Sequence, residues 1–261
     1  MKRMFAMLLV LVLCVGLAAC GAGGKTSSDL DDIKQKGTLV VGITDFAPMD
    51  YQDADGSWIG FDADMATAFA ESLGVKVEFQ VIDWDNKVPE LNGKTIDCVW
   101  NGMTLTDEVK SAMETSNAYC NNAQVVILPL AAADQYPDAE SLKGLRFAVE
   151  SGSAGMAMAK EYGFDYIEVL DQATALLEVK SGTADAAIID ALMAGAMVGE
   201  GTDYADLTYT ISLNSEEYGV GFRKGSDLAA ALNEFFQSAY ADGSLQACAE
   251  RYGIQAALIA Q

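Results

Sequence analysis

The chain has 261 residues, of which 51% are hydrophobic and 21% are charged, a composition typical of a folded globular protein. Its formal net charge of −22 argues against nucleic acid and anionic lipid headgroups as partners, because like charges repel. The sequence contains no histidine, which excludes Ser-His-Asp triads and histidine-containing metal sites. We therefore predict neither a catalytic site nor a metal site, and we expect no cofactor.

Residues 1–19 have the pattern of a secretory signal peptide. Lys2 and Arg3 give the segment a basic start, and residues 4–19 are almost wholly apolar. This apolar run is shorter than the roughly 20 residues that a membrane-spanning helix needs. The sequence therefore predicts export across a membrane rather than insertion into it.

The end of this segment, Leu17-Ala18-Ala19-Cys20, resembles a bacterial lipobox. The resemblance implies cleavage before Cys20 and lipidation of that cysteine, which would anchor the mature protein to the cell membrane through lipid alone. The alternative is an ordinary signal peptide with a chance cysteine. Residues 20–28 are rich in Gly, Ser and Thr and predict a flexible tether.

Strand and helix patterns alternate along the rest of the chain, in the order strand, helix, strand, helix, strand. Asp62 is the predicted N-cap of the first helix of the first series. The first series comprises strands 39–43, 75–81 and 97–100 with helices 62–73 and 84–92. The second comprises strands 145–149, 166–170 and 185–189 with helices ending near 162 and at 181. A strand at 219–222 and helices between 227 and 252 complete the chain.

The repeated order predicts an α/β fold with two lobes, each a mostly parallel sheet flanked by helices. Residues 29–124 and 219–261 are assigned to lobe 1, and residues 125–218 to lobe 2. Two hinge connectors are expected, near 122–130 and near 212–220. A cleft between two lobes is a preferred place for a small ligand.

The carboxyl ends of parallel strands mark the ligand side of such sheets, and polar residues follow several of the predicted strands. Asp190 ends a strand of the second lobe, where its carboxylate suits a ligand ammonium group. Its alternative role is the N-cap of the next helix. The turn Ser151-Gly152-Ser153-Ala154-Gly155 offers backbone N–H groups to a ligand carboxylate, although such residues also form ordinary turns.

Two aromatic residues lie next to the predicted cleft. Phe46 follows the first strand, and Trp84 precedes the second helix. Aromatic rings in these places could enclose an aliphatic or cationic ligand. The alternative is that each ring belongs to the apolar core.

Three cysteines remain once the predicted signal peptide and the lipidated cysteine are set aside. The spacings of Cys98, Cys120 and Cys248 match no zinc motif. We interpret them as small buried apolar residues, and their sequence positions leave open whether two of them form a disulfide.

Several motifs together resemble the bacterial extracellular solute-binding proteins of family 3, which bind polar amino acids for ABC importers. The resemblance covers residues from about 37 to 252. It implies a type II periplasmic-binding-protein fold, with the ligand cleft between the lobes. The motifs that carry it are Gly60-Phe61-Asp62-Ala63-Asp64-Met65, Asp83-Trp84-Asp85-Asn86-Lys87-Val88-Pro89, Gly102-Met103-Thr104-Leu105-Thr106, Ser151-Gly152-Ser153 and Ala241-Asp242-Gly243-Ser244-Leu245.

The resemblance implies roles for the residues on the ammonium side of the ligand. Phe46 and Trp84 correspond to the aromatic pair that flanks the ligand side chain. Gly102 and Thr104 correspond to the backbone carbonyl and the hydroxyl that meet the α-ammonium group. Asp190 corresponds to the counter-ion of that group.

On the carboxylate side, the resemblance is less complete. Ser153 and Ala154 match the turn whose N–H groups meet the α-carboxylate, and Asn101 and Met103 are expected on the same wall of the cleft. The family usually has an arginine clamp for the carboxylate where this chain has Val109. Losing one member of a buried charge pair costs about 2–5 kcal/mol, so carboxylate recognition is expected to be weaker here.

These considerations leave two ligand hypotheses. In the first, an amino acid binds and backbone N–H groups hold its carboxylate. In the second, the ligand is a cationic amine or an amino-acid derivative without a free carboxylate. The expected protein is a monomeric extracytoplasmic lipoprotein whose partners are the small-molecule ligand and an ABC permease. Alternative functions are a ligand-sensing lipoprotein that is not coupled to transport and a dehydratase-like enzyme on the same fold.

Overall fold

The computed structural model describes residues 28–261. The predicted signal peptide, Cys20 and the tether up to residue 27 lie outside the described residues. Within the described part of the chain, no helix combines the length and the apolar character that crossing a bilayer requires. The described residues form two large sheets with helices packed against them and one small two-stranded sheet, which confirms the predicted α/β fold with two lobes.

The strands are, in chain order, β1 (Thr38–Ile43), β2 (Tyr51–Gln52), β3 (Trp58–Ile59), β4 (Lys76–Val81), β5 (Cys98–Thr104), β6 (Glu114–Thr115), β7 (Cys120–Asn122), β8 (Gln124–Pro129), β9 (Arg146–Glu150), β10 (Asp165–Val169), β11 (Ala186–Asp190), β12 (Leu207–Ser212) and β13 (Glu216–Phe222). The α-helices are α1 (Asp29–Lys36), α2 (Phe61–Ser72), α3 (Lys87–Asn92), α4 (Asp107–Ala112), α5 (Ala154–Tyr162), α6 (Gln172–Ser181), α7 (Ala191–Met197), α8 (Leu228–Ala241) and α9 (Ser244–Arg251). Short 3-10 helices lie at Trp84–Asn86, Ala133–Gln135, Glu140–Leu142 and Gln255–Ala257.

Lobe 1 is built on a sheet with the strand order β4-β1-β5-β13-β6, in which β7 also pairs with β13. The strands β4 and β5 run parallel to β1, whereas β13 runs antiparallel to β5. Alternate residues of β1, namely Leu39, Val41 and Ile43, are fully buried, as expected for a central strand. Helix α8, near the end of the chain, packs against β13 of this sheet.

Lobe 2 is built on a sheet with the strand order β10-β9-β11-β8-β12. The strands β10, β9 and β11 are parallel, and β8 is antiparallel to both of its neighbours. Both sheets are therefore mixed, with a parallel group of three strands extended by antiparallel strands, rather than mostly parallel.

The chain crosses between the sheets at two neighbouring places. It leaves lobe 1 after β7 at Asn122 and starts β8 of lobe 2 at Gln124. It leaves lobe 2 after β12 at Ser212 and starts β13 of lobe 1 at Glu216. The assignment of residues 29–124 and 219–261 to one lobe, and of 125–218 to the other, stays a prediction.

Local sequence explains where the lobe 2 helices begin and end. The side chains of Ser153 and Asp171 each accept the backbone N–H three residues on, which caps α5 and α6. Gly163 and Gly182 end the same helices in the left-handed conformation that glycine adopts most easily.

The predicted N-cap role of Asp62 is wrong. Gly60 is the N-cap of α2, and Asp62 lies in its first turn, where it is fully buried. Its Oδ2 accepts the N–H of Gly102 at 2.6 Å and the hydroxyl of Tyr119 at 2.7 Å. Burial raises the pKa of Asp62 to about 7. Asp62 therefore binds the backbone of β5 instead of capping a helix.

The three remaining cysteines are buried and carry free thiols. Cys98 and Cys120 lie in lobe 1 strands, and Cys248 lies in α9. Burial raises the pKa of each thiol, to about 12 for Cys248. The interpretation of these residues as small apolar core residues agrees with their positions.

Candidate functional site

A cavity of about 770 Å³ lies between the two lobes, and we call it the interlobe cavity. Its size is in the usual range for a small-molecule site. All ten residues that the sequence predicts to contact ligand line it. Lobe 1 contributes Phe46, Trp84, Asn101, Gly102, Met103, Thr104 and Val109. Lobe 2 contributes Ser153, Ala154 and Asp190.

Asp190 ends strand β11, and its side chain is 4% exposed. Its Oδ1 accepts hydrogen bonds from Asn122, from Gln124 at 2.8 Å and from the Tyr218 hydroxyl at 2.8 Å. Its Oδ2 accepts the amide N–H of Gln172. Although Asp190 stands at the N-cap position of α7, its side chain makes no capping hydrogen bond. The carboxylate therefore faces the interlobe cavity and the hinge instead of the helix that follows.

A second carboxylate, Glu216, lies beside Asp190 at the start of β13. The side-chain amides of Asn122 and Gln124 donate to both carboxylates, reaching Oε1 of Glu216 at 2.7 and 2.8 Å. Burial, and next the negative charge of Glu216, raise the pKa of Asp190 to about 7. Neither carboxylate forms an ion pair within residues 28–261, so this end of the cavity is a favourable place for a positive nitrogen.

The wall that faces Asp190 comes from β5. The Thr104 hydroxyl donates to Oε1 of Glu216 at 2.8 Å, so its oxygen keeps lone pairs that can accept a hydrogen bond from a ligand. Gly102 has φ +54°, and a Cβ at this position would come within 2.5 Å of the Phe46 ring. Only glycine allows the backbone and the aromatic ring to approach so closely here.

The side chain of Asn101 is already occupied within lobe 1. Its Oδ1 accepts the Thr44 N–H at 2.9 Å and the Thr44 hydroxyl at 2.7 Å. Its Nδ2 donates to the Thr44 carbonyl and to Oδ2 of Asp50. Asn101 thus fixes the shape of the cavity wall, and its amide has little left to offer a ligand.

An apolar patch forms the next part of the lobe 1 wall. Met103, Trp84 and Val109 pack in one cluster, and all three are buried. Val109 gives this patch a methyl surface where the resemblance predicted an arginine. The patch therefore suits the aliphatic part of a ligand and supplies no charge for a carboxylate.

A buried lysine lies beside the Ser151-Gly152-Ser153-Ala154-Gly155 turn. Lys87, the first residue of α3, is 9% exposed, and its Nζ donates to the Trp84 carbonyl at 3.1 Å and the Gly152 carbonyl at 2.9 Å. The second of these bonds joins the two lobes. The ammonium group also lies 4.8 Å from the centre of the Trp84 ring. Burial lowers the pKa of Lys87, and the carboxylate of Glu150 acts in the opposite direction.

The turn itself precedes α5. The N–H of Ser153 donates to the Glu150 carbonyl at 3.3 Å, and the Ser153 hydroxyl accepts the Met156 N–H at 3.1 Å. The N–H groups of Ala154 and Gly155, in the first turn of α5, have no acceptor within the helix. Of these two residues Ala154 lines the cavity, so its N–H, rather than that of Ser153, is available to an anion there.

Sequence reasoning missed the two buried charged residues Lys87 and Glu150 of the cavity lining. Glu150 is the last residue of β9, as Asp190 is the last residue of the adjacent parallel strand β11. The strand-end rule that selected Asp190 could have selected Glu150 as well. Lys87 carries no comparable signal, because an isolated lysine in a short helix is usually exposed.

Comparisons with known proteins identify the family of the chain. A family model described as bacterial extracellular solute-binding proteins, family 3, matches residues 39–255. The chain is similar to the L-cystine-binding protein TcyJ of Escherichia coli strain K12, with 30% identity over 248 residues and 92% of each chain covered.

Two solved structures are similar over most of the chain. One is an ABC uptake transporter substrate binding protein from Streptococcus pneumoniae with bound histidine, with 29% identity, a TM-score of 0.81, and 89% of this chain and 99% of that chain covered. The other is the ancestral amino acid-binding protein AncCDT-1, described as a precursor of cyclohexadienyl dehydratase, with 33% identity, a TM-score of 0.79, and 86% and 99% covered. The chain belongs to the bacterial extracellular solute-binding proteins of family 3.

Proposed function

We propose that this protein binds an amino acid in the interlobe cavity and delivers it to an ABC permease. The observation that carries the proposal is the Asp190 carboxylate, buried at the hinge with Glu216 beside it and with no ion-pair partner among residues 28–261. An α-ammonium group supplies the missing positive charge. Its other acceptors are the Thr104 hydroxyl and the Gly102 carbonyl.

The α-carboxylate of the ligand binds at the N-terminus of α5. The N–H groups of Ala154 and Gly155 point toward this end of the helix, where the helix dipole also favours an anion. Lys87 adds a full positive charge there. Two of its three protons are used by the Trp84 and Gly152 carbonyls, and the third remains for the ligand.

Lys87 bears on the choice between the two ligand hypotheses. Val109 removes the usual arginine clamp, which favours an amine without a carboxylate. A buried ammonium beside the α5 turn favours a ligand that has a carboxylate, because the lysine replaces the lost positive charge from another element. We therefore favour an amino acid over a simple amine.

Ligand binding is proposed to hold the lobes together. Several hydrogen bonds already cross between the lobes near the cavity, among them those from Tyr218 to Asp190 and from Lys87 to Gly152. A ligand that touches Thr104 on one lobe and Ala154 on the other adds contacts that exist only in the closed form. It therefore shifts the population toward that form.

The protein is proposed to act outside the cytoplasm as a monomeric lipoprotein, anchored by lipid on Cys20. The support is the lipobox-like sequence before that residue, which lies outside the described residues. The test is metabolic labelling with a radioactive fatty acid in the native host. Label is expected in the full-length protein and is expected to disappear in Cys20→Ala, which should also be released from the membrane fraction. Label retained in Cys20→Ala would contradict the anchor.

A thermal-shift screen across amino acids, amines and small peptides tests the proposed function. Ligand at about 100 times its dissociation constant stabilises the folded state by about 2.7 kcal/mol. For a chain of this size the expected rise in melting temperature is about 5–10 °C. At least one amino acid should give this shift. A shift with amines alone would support the second ligand hypothesis, and turnover of a substrate would contradict a purely binding role.

A further inference from the structure

The second buried carboxylate of the interlobe cavity, Glu150, has no role in the function proposed above. Its side chain is 3% exposed, and it lines the cavity at the end of β9. Its Oε1 has no hydrogen-bond partner among residues 28–261. A buried polar atom without a partner is destabilising unless something in its surroundings supplies one. The open side of Glu150 is the cavity, so a ligand is the natural source.

Glu150 has no direct ion-pair partner within the described part of the chain. None of the ion pairs within residues 28–261 includes it. Lys87 is close enough to act on its pKa, but the lysine Nζ is bonded to the Trp84 and Gly152 carbonyls. Burial, and next the negative charge of Asp190, raise the pKa of Glu150. The site thus holds a second carboxyl group that forms no direct ion pair with a residue of the described chain.

The net charge of the cavity lining also favours a cationic ligand. The lining contains five carboxylates against two lysines, so it is negative in sum. These are Asp85, Asp107, Glu108, Glu150 and Asp190, with Lys87 and Lys160 as the cations. Glu150 and Asp190 are the two that are buried, and they end neighbouring parallel strands, which lie about 4.8 Å apart. A ligand with one ammonium group and one carboxylate leaves this surplus uncompensated.

The wall around these carboxylates also suits a particular ligand shape. Phe46, Trp84 and Val109 give the lobe 1 side an apolar and aromatic surface. Such a surface packs against a chain of methylene groups and attracts cations by cation–π interaction.

We propose that Glu150 receives a second positively charged nitrogen of the ligand, so that the interlobe cavity selects solutes with two cationic nitrogens on one flexible aliphatic chain. This inference rests on the proposed function, in which Asp190 holds the first nitrogen. Amino acids with a basic side chain and aliphatic diamines share this chemistry. They differ in the carboxylate that the α5 turn and Lys87 bind.

Matched pairs of ligands test the inference by titration calorimetry of the purified protein at pH 8. L-arginine and L-citrulline have nearly the same shape but differ by one positive charge, as do L-lysine and L-norleucine. The wild-type protein is expected to bind the charged member of each pair at least about 10-fold more tightly. Cadaverine and pentylamine form a third pair without a carboxylate, and tighter binding of lysine than of cadaverine identifies the amino acid as the source of the two nitrogens.

Glu150→Gln keeps the size of the side chain and removes its charge. The variant is expected to fold with an equal or higher melting temperature, because it no longer buries a carboxylate without a counter-ion. It should lose most of the preference for arginine over citrulline, bringing the ratio within about 3-fold. Glu161→Gln removes a charge from an exposed position of α5 outside the cavity lining and should keep the ratio of the wild-type protein.

The outcomes separate this inference from the proposed function. Equal affinities within every pair, or a ratio in Glu150→Gln equal to that of the wild-type protein, would overturn the role of Glu150 while leaving amino-acid binding intact. Binding of cadaverine with no amino acid bound would overturn the proposed function while supporting the second cation site.

Discussion

The hydroxyl of Tyr218 donates a hydrogen bond of 2.8 Å to Asp190, and these residues belong to the sheets of different lobes. Tyr218 lies in β13 of lobe 1, beside Glu216, and Asp190 ends β11 of lobe 2. The residue proposed to hold the ligand ammonium is therefore also one that connects the lobes at the hinge. The Asp190 carboxylate is thus proposed both to bind the ligand ammonium and to connect the two lobes.

Replacing Asp190 by asparagine should abolish or strongly weaken ligand binding. Loss of one member of a buried charge pair costs about 2–5 kcal/mol, which corresponds to about a 30-fold loss of affinity or more. Titration calorimetry with the best ligand from the screen measures the effect. Asp165→Asn changes an exposed aspartate of the same lobe and should bind as the wild-type protein does. Full affinity in Asp190→Asn would show that another group holds the ammonium.

Lys87→Met should reduce the preference for ligands that carry a carboxylate. The substitution keeps an unbranched apolar stem but removes the ammonium group beside the Gly152 carbonyl. A hydrogen bond to a charged group contributes about 1.5–3 kcal/mol, so the ratio of lysine to cadaverine affinity should fall about 10-fold or more. The control is Lys160→Met, an exposed lysine on the same cavity. An unchanged ratio of lysine to cadaverine affinity in Lys87→Met would show that Lys87 does not bind the ligand carboxylate and that only the α5 N–H groups do.

Gly152→Ala should oppose closure of the lobes. A Cβ at Gly152 would lie 2.7 Å from Oδ1 and 2.8 Å from Cα of Asp85 on the facing lobe, and the backbone has φ +70°. Gly163→Ala is a matched control, because Gly163 has φ +68° with nothing within 4 Å of its added Cβ. Small-angle X-ray scattering should show compaction on ligand addition in the wild-type protein and in Gly163→Ala. Compaction of Gly152→Ala equal to that of the wild-type protein would contradict the close contact between Gly152 and Asp85 in the closed form.

The stabilisation by ligand should increase between pH 5 and pH 8. The pKa of Asp190 is raised from its ordinary value of 3.8 to about 7. In the unliganded protein, the stability that Asp190 contributes is therefore fully present below pH 3.8. It is lost as the pH rises through 7. Asp62 has the same direction and value. An ammonium ligand binds the ionised form of Asp190, and its affinity therefore falls as pH drops below 7.

Thermal shifts at a fixed ligand concentration measure this dependence. A neutral α-amino acid keeps its own charges throughout this interval, so the change reports the protein. The shift should be larger at pH 8 than at pH 5, and a larger shift at pH 5 would contradict the role of ionised Asp190.

Sequence patterns predicted the parts of the fold that follow from the alternation of strands and helices and from the residues at strand ends. The strand-end rule places Asp190, Thr104 and the Ser153 turn on one cavity, because parallel strands bring their carboxyl ends to the same edge of a sheet. The alternation of strands and helices predicted the parallel group of each lobe. The antiparallel pairing of β8 and β13 could not be predicted from local patterns, because it joins segments that are far apart in the chain.

Other details depended on tertiary contacts. Asp62 has the residue type and position of an N-cap, yet its carboxylate turns inward to Gly102 and Tyr119. Asn101 lines the cavity, but Thr44 and Asp50 occupy its amide. Lys87 is buried only because lobe 2 closes over it through Gly152. None of these partners lies near its residue in the sequence, so no local pattern could predict them.

A crystal structure of the protein with its tightest ligand from the screen tests the central claim most directly. The account predicts a ligand nitrogen within about 3 Å of an Asp190 oxygen, with the ligand enclosed between Phe46 and Trp84 on one lobe and the start of α5 on the other. A ligand bound outside the interlobe cavity, or one whose nitrogen faces away from Asp190, would contradict it.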